Sequence, residues 1–413
     1  MSRALIGLDP ARELVLERAS ALHPEEVALG DALGRTLAED VRSAESVPGF
    51  DNSAMDGFAV RARDTAGANA ASPALMRAVD ESSAGHPARC GVNAGEAIAI
   101  STGAMLPAGA DAVVRIEDVL ARGAEIEVRA PVEPGTDVRR TGEDIRAGQV
   151  ALRAGTHVGP FELGVLASIG CARVRCVSRP SLQVLTTGDE LLDPSEQLRP
   201  GGVRNTNAYT VPALARLAGA EVVGVQGVGD EQAATRAAVV ETLQCDIAVI
   251  CGGVSVGAHD HVRPALRAAG AQEVFWGVAL RPGKPTWFGI CDSRGGERKT
   301  LVFGLPGNPV SAIVTFLLFA RPAVRRLCGA DPGCERLTAV LDEEYRKPPG
   351  RAHAVRCRLQ LCDDGWHARP TGTQGSHVLR SMIGAEGLGI VPAASDGLAA
   401  GERIEVELLP RAG

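Results

Sequence analysis

Three short motifs carry the groups best suited to chemistry: TGDE at residues 187–190, GGVSVG at 252–257 and GLPGNP at 304–309. Each directly follows an apolar run. Glycines let consecutive backbone N–H groups of GGVSVG turn toward one point, a nest that suits phosphate or pyrophosphate. A tight turn without a ligand is the competing reading. Asp260, just downstream, favours the site, because an anion nest beside a carboxylate often holds a divalent cation between them. In GLPGNPVSA, Gly307 and Asn308 precede Pro309 at a first helical position, which fits an anion at the helix N-terminus or an ordinary cap. Asp189 and Glu190 of TGDE form a solvated turn or, with Asp230 and Asp260, an acidic rim for Mg²⁺. RPGKP at 281–285 brings Arg281 and Lys284, with a surface loop as the alternative. In FDNSAMDGFAV, residues 50–60, the polar Asp51, Asn52 and Ser53 suit an Asx-type turn or an active-site loop. His259, His261 and His377 match no H-x-x-H or H-E-x-x-H spacing and are expected to be solvated or core histidines.

The elements that must position these groups change along the chain. Apolar residues recur at helical spacing from Pro10 to Ala38, as at Val15, Ala19 and Leu22, with a break at Pro24. Residues 46–140 are short β-like runs separated by Gly, Pro and Asn, and residues 160–169 are helical again. From 181 to 326 strands alternate with helices, which predicts an α/β layer with a mostly parallel sheet. Ligands in such sheets bind beyond the carboxyl ends of the strands, so strand polarity alone gathers TGDE, GGVSVG and GLPGNP on one edge. Beyond Gly329, short alternating runs predict a small β-barrel or sandwich.

Length and composition bound the possibilities. At 413 residues, two to four domains are expected. No apolar run is long enough for a bilayer, and residues 1–10 lack the apolar stretch of a secretion signal, so a cytoplasmic protein is expected. The ten cysteines include no C-x-x-C pair and are expected to be reduced, packed thiols. A net charge of −7 and only 13 aromatic residues argue against nucleic acid as a partner. An anionic substrate therefore needs a local cluster of positive groups.

The motifs VPGFDNSAMDGFAV, STGAMLPAGADAVV, RRTGEDIRAG, TTGDEL, NTN, GGVSVG, RPGKP, GLPGNPVSA and TGTQGSH stand in this order along nearly the whole chain, which resembles the MoeA/gephyrin E-domain family of molybdopterin molybdotransferases. The resemblance implies a multidomain α/β plus β protein and a homodimer. Its implied parts are an interrupted helical domain at 1–45 and 140–178, an inserted mainly β domain at 46–139, a MogA-like α/β domain at 179–328 and a C-terminal β-barrel at 329–413. It implies insertion of molybdate into adenylyl-molybdopterin with Mg²⁺-dependent release of AMP, and possible contact with other cofactor-biosynthesis proteins. Carried over residue by residue, it places functional groups at Asp56, Thr102, Asp144, Glu190, Asp230 and Asp260, with Glu190, Asp230 and Asp260 as metal ligands. Substrate-binding groups fall at Gly252, Gly253, Ser255, Arg281, Lys284, Pro306, Pro309 and Ser376. The loop carrying Asp56 is expected to reach the cleft of the partner subunit.

The chain departs from that pattern at four positions. Ala258 replaces an acid, Asn205 an Asp, and Gly277 and Arg281 each a Lys. Arg281 is therefore expected to serve molybdate with Lys284, a surface ion pair of Arg281 being the alternative, and Gly277→Lys is expected to rescue part of an Arg281→Ala defect. The rival activities are adenylylation of molybdopterin by ATP, which uses a similar α/β domain, and a scaffold that binds a receptor peptide. The extra domains and FDNSAMDG disfavour the first, and the lack of a fused MogA-like domain and linker disfavours the second.

Overall fold

The computed structural model describes residues 4–254, 260–292 and 299–410. The chain forms two compact units, one of residues 1–25, 34–38 and 176–413, the other of residues 26–33 and 39–175.

The larger unit is built around a six-stranded sheet in the spatial order Glu221–Val228, Ser181–Thr187, Ile247–Cys251, Lys299–Leu305, Trp287–Asp292, Gln272–Trp276. The first four strands are parallel, and the last two pair antiparallel. Ile247–Cys251 is buried at every position, as a central parallel strand covered on both faces must be, whereas the edge strand Glu221–Val228 alternates exposed and half-buried residues. Helix Asn207–Ala218 stops at Gly219, whose φ of +107° ends the helix in the left-handed region. Helix Gln232–Thr242 starts where the Glu231 carboxylate accepts from the N–H groups of Ala233 and Ala234. Pro309 opens the helix Pro309–Thr315, which the preset φ of proline favours. Phe275, Phe288, Phe303 and Phe319 pack ring against ring in the core, with centroids 5.0–6.3 Å apart.

The same unit carries the barrel. Strands Arg336–Leu341, Ala352–Cys362, Gly365–Pro370, Gly387–Val391 and Arg403–Leu408 close on themselves, because Ala352–Cys362 pairs with both Gly365–Pro370 and Gly387–Val391. Closure removes free sheet edges. Leu341, Val355, Ala368, Val391, Ile404 and Val406 fill its interior.

The smaller unit holds a second six-stranded sheet, ordered Ala112–Arg115, Gly57–Val60, Glu96–Ile100, Ala74–Ser82, Glu125–Val128, Val119–Arg122. Phe58, Val60, Met76, Val114 and Ile126 form its core.

The helical reading of residues 10–38 needs correction. Among the described residues of 1–45 and 140–178, Leu8–Leu16 and Pro160–Ser168 are the α-helices, and Pro24–Ala28, Val41–Arg42, Val150–Leu152 and Arg173–Val177 are strands. Val15 and Ala19 are buried as their spacing predicts, but the helix ends at Glu17, and residues beyond it are tied instead to distant segments, as where the Leu22 N–H donates to the Leu327 carbonyl. Tertiary hydrogen bonds outweigh helix propensity in so short a stretch.

Candidate functional site

The ends of three parallel strands bring the three motifs together. Gly252 donates its N–H to the Leu305 carbonyl at 3.0 Å. At Gly252 (φ +94°) and Gly253 (φ +61°) a Cβ would lie 2.7 Å from the Thr187 carbonyl and 2.5 Å from a Val262 methyl, so both places require glycine. A Cβ on Gly307 would stand 3.7 Å from the Gly252 Cα, which puts GLPGNP beside the nest. Ser255 and His259 lie outside the described residues, as does Ala258.

Around this junction several buried polar atoms have no hydrogen-bond partner: Thr187 Oγ1, Asn207 Oδ1 and both carboxylate oxygens of Asp260. Thr187 and Asn207 are each 7% exposed. Leaving such atoms unpaired costs about 1–3 kcal/mol apiece, so each is open to a partner from a ligand or water. Asn207 Nδ2 donates to the Gly307 carbonyl at 2.8 Å, which fixes its amide with the oxygen left over. Burial pushes the Asp260 carboxyl up to about 6, against the pull of the Arg263 charge and the neighbouring N–H groups of Arg263 and Val262. The Arg263 guanidinium is engaged elsewhere, 3.1 Å from Glu273 and stacked 4.9 Å over Trp276.

The other acids crowd the end of Ser181–Thr187. The Asp230 N–H donates to Asp189 Oδ1 at 2.9 Å, and a Cβ on Gly188 would meet the Glu190 carboxylate at 2.5 Å. Among the described residues, Glu190, Asp230 and Asp260 do not bring three ligand atoms within 4.8 Å of one another. A cavity of about 790 Å³ opens at Asp189, lined also by Gly188, Asn205, Tyr209 and Gly229. Asn205 serves structure: its amide donates to Thr186 Oγ1 at 2.8 Å and accepts from the Ala208 N–H at 3.2 Å.

A second cavity, of about 270 Å³, gathers Arg281, Lys284, Pro306, Asn308, Arg351 and Ser376. Leu280–Arg281 pairs with the barrel strand Ala352–Cys362, with Arg281 opposite His353, and this register sets Arg351 next to Arg281. Asn308 Nδ2 reaches Ser376 Oγ at 3.2 Å, and the Val310 N–H donates to the Ser376 carbonyl. Behind Ser376 the loop is anchored by the fully buried Arg356, which donates to Ser381 Oγ at 3.1 Å and to the Gly375 carbonyl at 3.3 Å. Pro309 starts its helix and does not line this cavity. Among the described residues, none of Arg281, Lys284 and Arg351 has a carboxylate within 4.0 Å, so the surface ion pair considered for Arg281 is absent. Three cations with no carboxylate partner among the described residues, around one small cavity, suit a compact polyanion.

In the smaller unit, Asp56 Oδ1 accepts from the Thr102 N–H at 2.7 Å and from Thr102 Oγ1 at 3.0 Å, and these bonds hold its carboxyl below the usual range. Asp51 is gripped by Arg140 at 2.7 Å and by the N–H and hydroxyl of Thr141. The Asp144 N–H donates to the Val47 carbonyl at 3.0 Å, and its side chain makes no described contact with Asp56.

The sequence reading missed Thr187, Asn207 and Arg351 as site residues. Asn207 lay in view within NTN, and Thr187 within TTGDEL. Arg351 carries no local signal, since its place depends on the pairing of residues 280–281 with 352–353. The sequence also anticipated Lys-like rescue at Gly277, which the structure opposes: φ is +85° there and a Cβ would lie 2.8 Å from the Leu5 side chain.

Comparison with known proteins finds relatives over nearly the whole chain. The family models "MoeA N-terminal region (domain I and II)", "Probable molybdopterin binding domain" and "MoeA C-terminal region (domain IV)" match residues 6–170, 183–326 and 338–409. A molybdopterin molybdenumtransferase of Haemophilus influenzae is 34% identical over 409 residues, covering 98% of each chain. One of Staphylococcus aureus is 32% identical over 405 residues, covering 98% of this chain and 95% of the relative. The crystal structure of a molybdopterin biosynthesis MoeA protein from Pyrococcus horikosii superposes with a TM-score of 0.82 at 32% identity, over 98% of this chain and 99% of that one.

Proposed function

Since this chain belongs to the MoeA family of molybdopterin molybdenumtransferases and is a transferase of molybdenum cofactor biosynthesis, we propose that it inserts molybdate into adenylyl-molybdopterin with Mg²⁺-dependent release of AMP. The observation that carries the proposal is the pairing, within one unit, of a junction of unsatisfied polar groups at the strand ends with a separate cavity of unpaired cations.

Molybdate, a tetrahedral dianion, is received by Arg281, Lys284 and Arg351, with Ser376 and Asn308 as neutral donors. Arg forks match the oxygens of a tetrahedral oxyanion, and Lys284 adds a movable charge. The pyrophosphate bridge of the adenylyl group lies at the nest of Gly252 and Gly253, where Thr187 and Asn207 offer unpaired polar atoms. Glu190, Asp230 and Asp260 would hold Mg²⁺. Their fit is carried by Asp260, whose two carboxylate oxygens are shielded from solvent and accept no hydrogen bond of ordinary geometry, although the Val262 and Arg263 N–H groups lie nearby. The three acids do not form a ready trio, which suits an ion that usually takes one or two carboxylates and completes its shell with substrate phosphates. When bound, Mg²⁺ neutralises the phosphate bridge and polarises phosphorus. The chain's own residues orient the two anionic substrates and keep the dithiolene beside the oxyanion, so that sulfur replaces oxygen on molybdenum while the phosphoanhydride is cleaved by water to AMP. No protein nucleophile is needed.

The functional unit we propose is a homodimer in which the Asp56–Thr102 pair of one chain completes the site of the other. No helix among the described residues is long and apolar enough to cross a membrane, and all ten cysteines are free, in keeping with a cytoplasmic setting. The test is direct. Purified chain, adenylyl-molybdopterin, molybdate and Mg²⁺ should give AMP and a cofactor that activates a molybdenum-dependent apo-enzyme. Formation of adenylyl-molybdopterin from ATP and molybdopterin, with no insertion, would establish the rival adenylylating reading instead.

A further inference from the structure

The barrel strand Ala352–Cys362 turns back into Gly365–Pro370 through Asp363 and Asp364, with Cys362 opposite Gly365 and Gln360 opposite His367. Side chains alternate along a strand, so Cys362, Gln360 and His367 share one face, and Cys362 and His367 are diagonal neighbours. The turn adds Asp364, whose Oδ1 lies 3.1 Å from His367 Nε2. One ligand atom from each of Cys362, Asp364 and His367 lies within 4.8 Å of the other two. On the far side of the imidazole, Nδ1 sits 2.7 Å from Asp342 Oδ1. Asp342 is itself fixed, its N–H donating to the Ala368 carbonyl at 3.0 Å and its carboxylate 3.5 Å from Arg369.

We propose that this hairpin binds a divalent transition-metal ion of the zinc type through Cys362 Sγ, His367 Nε2 and the Asp364 carboxylate, with Asp342 orienting the imidazole and water filling the remaining position. A thiolate, an imidazole and a carboxylate form a donor set that Zn²⁺ and Co²⁺ accept and that Mg²⁺ and Ca²⁺ do not. A carboxylate on the outer nitrogen of a ligating histidine fixes the tautomer and raises its basicity, which is the relation of Asp342 to His367. Tetrahedral bonds of 2.0–2.3 Å require ligand atoms roughly 3.3–3.7 Å apart, so side-chain rotations of about an ångström complete the site. The Asp364 side chain is 71% exposed and that of His367 20% exposed, which leaves an entry path from solvent. The thiolate and an unprotonated Nε2 are the forms that bind metal, so affinity should fall as pH drops. This site lies apart from the acids proposed for Mg²⁺ and differs from them in ligand chemistry.

The test uses the full chain titrated with Co²⁺ and then Zn²⁺. Co²⁺ should bind at about one ion per chain with a thiolate-to-metal charge-transfer band, Zn²⁺ should bleach that band, and a large excess of Mg²⁺ should not. Cys362→Ser should abolish the band, His367→Ala should weaken Co²⁺ binding strongly, and Asp342→Asn should weaken it by about 10- to 100-fold. Cys90→Ser, at an exposed cysteine outside the hairpin, should leave the band intact. Melting curves of the metal-free variants check that each is folded, and Zn²⁺ should raise the melting point of the parent chain but not of folded Cys362→Ser. A Co²⁺ complex without the thiolate band, or a band that survives Cys362→Ser, overturns the proposal.

Discussion

His353 should make the larger unit sensitive to mild acid. It lies in the barrel strand directly opposite Arg281, is 2% exposed, and accepts or donates one hydrogen bond, to Tyr345 at 3.0 Å, while its Nε2 has no partner. Burial first, then the charges of Arg281, Lys347 and Arg351, lower its pKa from 6.5 to about 4. The unfolded chain therefore binds a proton that the folded chain refuses between these values, and stability contributed by neutral His353 is full above about 6.5 and falls as pH drops toward 4. Linkage over that interval gives a loss of about 2 kcal/mol at pH 5 relative to neutral pH, rising to about 3 kcal/mol below pH 4. Urea unfolding followed by tryptophan fluorescence reports on the right part, because Trp276, Trp287 and Trp366 all belong to the unit that contains His353. His353→Gln keeps a polar partner for Tyr345 and removes the titration, so its stability should fall by about 2 kcal/mol less between pH 7.5 and 5 than that of the parent. His367 works in the opposite sense, since Asp342 and Asp364 raise its pKa, and the difference between parent and variant cancels it. Molybdate in the neighbouring cavity should offset the charges of Arg281 and Arg351 and reduce the acid loss in the parent alone. Equal losses in parent and His353→Gln would refute the reasoning.

Three further outcomes follow from the site. Asp260→Asn and Glu190→Gln should each slow AMP release by about 10²–10³-fold, and thorough chelation should stop it; full activity under chelation or in both variants would remove the metal assignment. Inactive Asp56→Asn chains mixed with inactive Asp260→Asn chains should recover part of the activity, and mixed dimers that form yet stay inactive would exclude a shared site. Arg281→Ala and Arg351→Ala should each raise the molybdate concentration for half-maximal insertion by about 10- to 100-fold with adenylyl-molybdopterin binding nearly unchanged; an unaltered requirement in both would move the oxyanion elsewhere, and Gly277→Lys should bring no rescue because of its positive φ and the Leu5 contact.

What the sequence could reveal followed from local rules. Continuous apolar runs such as 247–251 announce buried parallel strands, and strand polarity alone gathers TGDE, GGVSVG and GLPGNP at one edge. Pro309 marked a helix start for reasons confined to its own backbone. The failures came where distant segments decide. Val15 and Ala19 carried the right burial but not the right helix length, because hydrogen bonds such as Leu22 to Leu327 claim the chain beyond Glu17. Arg351 was invisible for the same reason, since only the register of 280–281 against 352–353 makes it a neighbour of Arg281. Likewise, a sequence shows that Thr187 and Asn207 are polar but not that burial leaves their oxygens unpaired.

The barrel also bears on which reaction the α/β sheet performs. The strand-end nest, the acids and the cavity beside them all belong to the α/β portion, and by themselves they describe a place for a phosphate-bearing ligand and a cation. The cation-lined cavity is different. Arg281 and Lys284 come from the α/β portion, but Arg351 and Ser376 come from the barrel, and the loop bearing Ser376 is held by Arg356 and by Gln374, whose amide accepts from and donates to the Arg356 backbone. Without the barrel the cavity would lose one of its three cations and the hydroxyl opposite Asn308. An α/β domain alone can thus present the anion nest, whereas collecting a second, compact dianion next to it requires the closed barrel to be docked in register at Leu280–Arg281. On the function proposed above, that division of labour would separate oxyanion insertion from simple adenylyl transfer: the first would need both halves of the cation cavity, and the second only the strand ends.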